Sequence, residues 1–430
     1  MKLLHGSKVG AFFILVVVSF TLMLAAGKLK SKWDGFATVQ PKPTGSVLTK
    51  DNISQAIGES ATFYRFPKQI DLPQELHQAL SKLKGAPVTA QIQYSFDTKL
   101  QESLEGLLRT YSPDYGALVV LDATTGRVLS MVSSTQHKEY QGNLALQATF
   151  PSASVFKVVT AAAAIERQKF SAETMIPFNG RNHTLYRGNI LKTPITRWTH
   201  YTSLKTAFAK SINTVFGKIG AYDVGHQELQ VYADRFGFNH PISADFPVGT
   251  GRAVIPQDAW GMAESASGYT RANTMSPLQG ALMAAAIVNE GVMMEPYLVQ
   301  SVSTAEGESL YVAEPEVART SVDMKTASEL KELMRETISQ GTSRKSFRKF
   351  FRGEYTLLDV GGKTGSLTGD QPKGKYDWFV GFAEGGTHRI AIAALTIHGK
   401  LWKVKSSLLA RKAIESYFHG KLTGKQVAER

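Results

Sequence analysis

The stretch from Pro151 to Glu166 constrains this chain more than any other. A turn of small residues, Pro151-Ser152-Ala153-Ser154, opens a run that contains no Gly or Pro and carries four consecutive alanines, Ala161 to Ala164. That pattern is a helix start followed by a strong helix former. Ser154 falls at the helix N-terminus and Lys157 three residues later, so both project from one face. A hydroxyl beside an amine at a positive helix end is a route to a nucleophilic serine that needs no histidine. The amine must be neutral to accept the hydroxyl proton, and burial among Val155, Phe156 and Val158 lowers a lysine pKa.

The Ser-x-x-Lys spacing is common in itself. It occurs at Ser81, Ser154, Ser328 and Ser346. Ser81 and Ser328 lie in charged segments with helical patterning, and Ser346 lies in a basic run. Only Ser154 opens an apolar helix.

Composition narrows the function classes. With 430 residues, 43% of them hydrophobic, the chain can bury a sizeable core, and its length suggests two or three domains. A mean hydropathy of −0.14 with 20% charged residues excludes a polytopic membrane protein and a disordered chain. The formal net charge is +13, but no block of Lys and Arg is interleaved with aromatics, so no nucleic-acid partner is expected. A basic surface facing anionic membrane or wall polymers fits better. There is no cysteine, which removes thiol catalysis, disulfides and thiolate metal sites. The ten histidines show no ligand spacing, so neither a metal nor a cofactor is expected.

Val9 to Gly27 is nineteen residues without a charge. That is close to the roughly 20 needed to span a bilayer and longer than a signal-peptide core of about 7–15. The expectation is a transmembrane anchor at 9–27 behind a cytoplasmic tail at 1–8. Ala25-Ala26-Gly27 leaves a cleaved signal as the alternative. Lys28, Lys30 and Lys32 outnumber the two lysines before the segment, so the flanks do not settle orientation. Residues 28–88 carry Pro and Gly punctuation (Gln40-Pro41-Lys42-Pro43-Thr44-Gly45) and amphipathic pieces such as Gln74 to Leu83. They read as a linker and small stalk.

From Thr89 the pattern tightens. Ala90 to Tyr94 alternates like a strand, and Asp97 can cap a helix running to Leu108. Ala117–Asp122 and Val128–Val132 are apolar strands joined by a hairpin turn with Gly126 near its end. Leu204 to Ile219 reads as one helix and contains Ser211-x-Asn213, the only Ser-x-Asn in the chain. Ser276-Pro277 starts a helix that ends at Gly291, and Lys325 to Gln340 forms an amphipathic helix closed by Gly341. Leu357 to Ser366 is an apolar strand that delivers Lys363-Thr364-Gly365-Ser366, whose glycines let another backbone or a peptide approach closely. The Walker spacing is absent here. Trp378–Ala383 and Arg389–Ile397 complete an antiparallel meander with it. Ser406 to Phe418 is a final helix, and 421–430 a polar tail.

Three motifs thus stand in one order: Ser154-x-x-Lys157, Ser211-x-Asn213 and Lys363-Thr364-Gly365. Together they resemble the penicillin-binding protein and serine β-lactamase superfamily, over roughly Thr89 to Phe418, and most of all the transpeptidase domains of high-molecular-weight penicillin-binding proteins. The resemblance implies an α/β fold. An antiparallel five-stranded sheet is flanked by helices, a mostly helical lobe stands beside it, and the active site lies between them, with the domain spanning 89–420.

The resemblance also implies roles. Ser154 is the nucleophile and forms an acyl-enzyme with the penultimate D-alanine of a peptidoglycan stem peptide. Lys157 accepts its proton, Ser211 relays a proton to the leaving amine with Lys363 tuning it, and Asn213 holds Lys157 and the substrate amide. The backbone N–H groups of Ser154 and Ser366 form the oxyanion hole. Lys363, Thr364, Gly365 and Ser366 bind the terminal carboxylate. β-Lactams would acylate Ser154 as mimics. The implied setting is a single-pass membrane protein with its catalytic domain outside the cytoplasm and a glycosyltransferase as partner.

A D,D-carboxypeptidase or endopeptidase shares the first step, with water as acceptor. A β-lactamase is disfavoured because no Glu-x-x-Leu-Asn segment is present and class D enzymes usually carry Val where Asn213 stands. A non-catalytic wall-synthesis scaffold is disfavoured because all the catalytic residues are intact, and a β-lactam sensor would need an output domain that eight residues before the anchor cannot supply. A bifunctional synthase would need a glycosyltransferase domain, which does not fit before Thr89.

Overall fold

The computed structural model describes residues 48–62, 64, 66, 69–70, 90–140, 142–192, 195–305 and 307–422. The segments read as tail, anchor, most of the linker and polar tail lie outside the described residues, as does Ser81. Among the described residues no helix is long and apolar enough to cross a membrane.

The centre is a five-stranded antiparallel sheet. Its strands, numbered in chain order, are β1 (Tyr115–Asp122), β2 (Val128–Thr135), β3 (Asp359–Asp370), β4 (Lys373–Gly385) and β5 (His388–His398). They lie in the order β3-β4-β5-β1-β2. β3 is therefore an edge strand, and the edge carries the Lys363 tetrad. The β3–β4–β5 meander forms as the sequence implies, with Lys363 opposite Val380.

Both faces of the sheet are covered, so successive residues of one strand enter different cores. Ala117, Val119 and Leu121 face one core and Leu118 and Val120 the other. This is why β1 reads as an unbroken apolar run rather than an alternation. The first face takes the helix Pro277–Val288, every residue of which is buried. Ser276 caps it, its Oγ accepting from Gln279 N at 3.0 Å, and Pro277 stands at the first turn. Burying Leu278, Leu282, Met283 and Ile287 stabilises by about 1.5–3 kcal/mol each. The second face takes the helices Thr98–Tyr111 and Ser406–Phe418. Asp97 caps the former by accepting from Leu100 N.

The stretch read as linker contributes to this body. A helix at Lys50–Thr62 puts Ile53, Ile57 and Ala61 into the core. The two-residue strand Gln69–Ile70 pairs with Ala90–Tyr94. The Thr62 carbonyl accepts from Asn143 N at 2.8 Å. The packed body thus begins upstream of Thr89, because a short amphipathic segment finds its apolar face only in tertiary contact.

A helical lobe holds the other half of the site. It includes the helices Lys157–Gln168, Leu204–Ala209, Asn213–Lys218, Gly225–Arg235 and Ala259–Ser267. The single helix expected over Leu204–Ile219 is broken. Ser211 has φ +55°, a left-handed conformation, and ends one helix before Asn213 begins the next. A serine accepts that strain only where its surroundings hold it there.

Candidate active site

Ser154 sits on a single 3-10 turn, Ala153–Phe156, that feeds directly into the α-helix starting at Lys157. Ala153 has φ +47°. Three neighbours fix this turn. Trp378 Nε1 on β4 donates to Pro151 O at 2.9 Å, and Ser152 N donates to Asn273 O at 2.8 Å. Gly268, the left-handed cap of Ala259–Ser267, lies so close that a Cβ there would stand 1.9 Å from Ala153 O.

Lys157 is fully buried. Its Nζ lies 2.8 Å from Ser154 Oγ, 2.8 Å from Asn213 Oδ1 and 2.5 Å from Ser267 O. No carboxylate is among these partners. Burial, and next the charge of Lys363, hold its pKa well below the ordinary lysine value. A neutral amine has two N–H groups and one lone pair. The two oxygens that can only accept, Asn213 Oδ1 and Ser267 O, take the N–H groups. In that neutral form the lone pair is left for the Ser154 hydroxyl. That arrangement lets Lys157 withdraw the Ser154 proton. Asn213 is itself held in place: its Nδ2 donates to His183 O at 3.0 Å and its N to Asn182 O at 2.8 Å.

Lys363 is likewise fully buried. Its Nζ donates to Ser211 Oγ at 3.0 Å and to Thr364 O at 2.7 Å. Burial lowers its pKa to about 7. Each buried amine also lies over a phenyl ring, Lys157 over Phe216 at 5.7 Å and Lys363 over Phe208 at 5.5 Å, which favours whichever amine holds a proton.

The glycines beside Lys363 act differently from expectation. A Cβ on Gly361 or Gly362 would strike the rings of Phe382 or Phe379 at 2.5 and 2.3 Å. They make room for core aromatics rather than for a ligand. Gly365 is the position where another backbone approaches: a Cβ there would be 3.2 Å from Ser152 O of the nucleophile turn. Ser366 is exposed at the cleft, and its Oγ donates to Asp377 Oδ1 at 3.3 Å.

Ser154, Ser211, Asn213, Thr364 and Ser366 thus converge on one cleft of about 290 Å³, with Lys157 and Lys363 buried beneath. His183, Gly268, Tyr269 and Thr342 line it too, and sequence reasoning did not find them. Thr342 follows the Gly341 that closes the helix Met324–Ser339. Its Oγ1 lies 2.5 Å from Thr364 Oγ1. A Gly-Thr pair at a helix end was the available signal. For His183 and Tyr269 there was none. The two other Ser-x-x-Lys matches among the described residues are elsewhere: Ser328 is exposed on a helix, and Ser346 Oγ bonds Ser407 Oγ.

The model of the penicillin binding protein transpeptidase domain matches residues 116–415, which hold all three motifs. The chain belongs to the penicillin-binding protein transpeptidase family. Its relatives include the peptidoglycan D,D-transpeptidase PbpA of Mycolicibacterium smegmatis, 27% identical over 73% of this chain and 66% of that one. Stage V sporulation protein D of Bacillus subtilis is 24% identical over 71% of this chain and 48% of that one. The chain therefore spans less than two thirds of the length of these relatives. Among solved structures, PBPA from Mycobacterium tuberculosis superposes with a TM-score of 0.63 at 23% identity, over 76% of this chain and 82% of that one. A penicillin-binding protein 3 from the same organism, complexed with aztreonam, gives 0.64 at 19% identity over 77% and 79%. The α/β fold of sheet and helical lobe is thus the transpeptidase fold of this family.

Proposed function

We propose that the chain is a peptidoglycan D,D-transpeptidase that cross-links stem peptides through a serine acyl-enzyme. The observation that carries this reading is Lys157 Nζ, 2.8 Å from both Ser154 Oγ and Asn213 Oδ1 with no carboxylate partner.

In the first step Ser154 Oγ attacks the penultimate D-alanine carbonyl as its proton passes to Lys157. The backbone N–H groups of Ser154 and Ser366 hold the oxyanion. Such a donor is worth about 3–4 kcal/mol. The C–N bond then breaks, and the terminal D-alanine leaves as an amine that takes the proton through Ser211. Protonated Lys363, with Thr364, Gly365 and Ser366, holds the terminal carboxylate. In the second step an amine of a neighbouring stem peptide attacks the ester, its proton returns through the same groups, and Ser154 is regenerated. β-Lactams acylate Ser154 in place of the peptide. Residues 9–27 anchor the chain, residues 89–420 work outside the cytoplasm, and a glycosyltransferase supplies the glycan strands.

Mass spectrometry after incubation with benzylpenicillin tests this, with Ser154→Ala as control. A stable adduct on Ser154 is expected; no adduct would sink the enzymatic reading, and rapid turnover of the drug would replace it with a β-lactamase. A pentapeptide donor with and without an amine acceptor then separates transpeptidation from carboxypeptidase hydrolysis.

A further inference from the structure

A second cavity, of about 430 Å³, lies in the helical lobe beside the ribbon formed by Met175–Phe178 and His200–Ser203. Its wall combines apolar side chains, among them Ile176, Ile195 and the ring of Tyr222, with the polar groups of Thr199 and Lys218 and one acid, Asp223. One segment serves both cavities: Asn179 lines this one, while His183, four residues on, lines the catalytic cleft and its carbonyl holds Asn213.

The surface around the cavity is unusual in two respects. It exposes large apolar side chains: Ile195 and Trp198 are each 71% exposed, and Tyr186, Tyr201 and Tyr222 are exposed as well. It also carries more cations than acids. From Thr174 to Asn213 the chain has no Asp or Glu but contains Arg181, Arg187, Lys192, Arg197, Lys205 and Lys210, of which Lys205 is paired with Glu173 and Glu332. Arg197 lies over Trp198 with 4.8 Å to the ring centroid.

We infer that this cavity and its basic, aromatic rim form a glycan subsite, which takes amino-sugar rings of the anionic wall polymer whose peptides enter the catalytic cleft. The inference rests on the proposed transpeptidase reading for the identity of the polymer. Flat apolar side chains interleaved with hydroxyls and an amine suit sugar rings, which present C–H faces and hydroxyl edges. The cations suit the free carboxylates of the stem peptides. The shared segment 179–183 brings the cavity near the cleft, which favours a polymer that occupies both over a bilayer that touches the rim alone. The subsite would hold the strand while peptides exchange at Ser154.

The test is co-sedimentation of the full chain in detergent with purified insoluble peptidoglycan, after acylation with benzylpenicillin so that the cleft is closed. Wild type should still bind, and less so as salt rises. Ile195→Asp and Tyr222→Ala should each weaken binding about tenfold, and Lys192→Glu with Arg197→Glu at least as much. All should keep the wild-type rate of penicillin acylation, which reports an intact fold. Retained binding in the variants, or loss of wild-type binding once the cleft is acylated, would overturn the subsite. So would binding to phosphatidylglycerol vesicles, but not to peptidoglycan, with the same residue dependence. Failure of penicillin to label wild-type Ser154 would instead count against the transpeptidase reading, while sedimentation of the unlabelled chain still judges the subsite.

Discussion

The two halves of the cleft each bury a lysine without a carboxylate, yet they treat it differently. On the helical side Lys157 is held by two pure acceptors and a hydroxyl, and burial together with Lys363 keeps it well below its usual pKa. On the strand side Lys363 meets a hydroxyl and one carbonyl and is lowered to about 7 by burial alone. Two buried amines this close cannot both be charged cheaply. Lys363 therefore keeps a proton more readily than Lys157, and Lys157 is the one favoured as neutral. In the proposed reaction the fold thus draws a base and a cation from the same residue type by varying what surrounds it.

The largest effect that would break this contrast is at the base. Lys157→Met should slow acylation of Ser154 by about 10³, within the range for general-base groups, when followed by benzylpenicillin labelling. Unchanged labelling would place the base elsewhere.

Lys363→Met should cost less, about 10², and the loss should depend on the ligand carboxylate, because a charge-assisted contact is what disappears. Labelling rates of a β-lactam and its carboxylate ester measure this. The ester should show little further loss in the variant.

Stability sharpens the same contrast. The cost of burying Lys363 is absent above its unfolded value near 10.5, grows as pH falls towards about 7, and is constant below. Lys363 should therefore add up to about 1.4 kcal/mol per pH unit to the rise of unfolding free energy across that window, beside the contribution of the same sign from Lys157. Denaturant melts at several pH values should show a shallower slope in Lys363→Met.

Two smaller changes test the frame that keeps the halves together. Trp378→Phe removes the donor to Pro151 O and should cost about 1–3 kcal/mol by leaving a buried carbonyl unpaired, read in the same melts. Thr342→Val removes the hydroxyl partner of Thr364. It should cost about 1 kcal/mol, seen as a several-fold rise in KM for a pentapeptide donor with kcat little changed.

What the sequence made legible follows from how local each cause is. The Asp97 and Ser276 caps, Pro277 and the helix Ser406–Phe418 are written in adjacent residues, and they form where they were expected. The three motifs likewise converge on one cleft, as the family resemblance implied. The break at Ser211 was not legible, since its left-handed backbone accompanies a hydrogen bond from Lys363, 152 residues away. The same holds for the helix Lys50–Thr62, whose apolar face is completed by distant core residues. It holds also for Gly268, whose need for glycine comes from Ala153 O. Gly361 and Gly362 were misjudged for the same reason: Phe382 and Phe379 on the neighbouring strand decide their role.

The neutral state of Lys157 is the centre of this account, and the pH profile of Ser154 acylation by benzylpenicillin reports it most directly. Full rate is expected on the acid side of pH 7, with a decline whose midpoint lies near 7 as Lys363 loses its proton, a decline that Lys363→Met abolishes. A rate that climbs with pH to a midpoint near 10.4, the value of an unperturbed lysine, would contradict it.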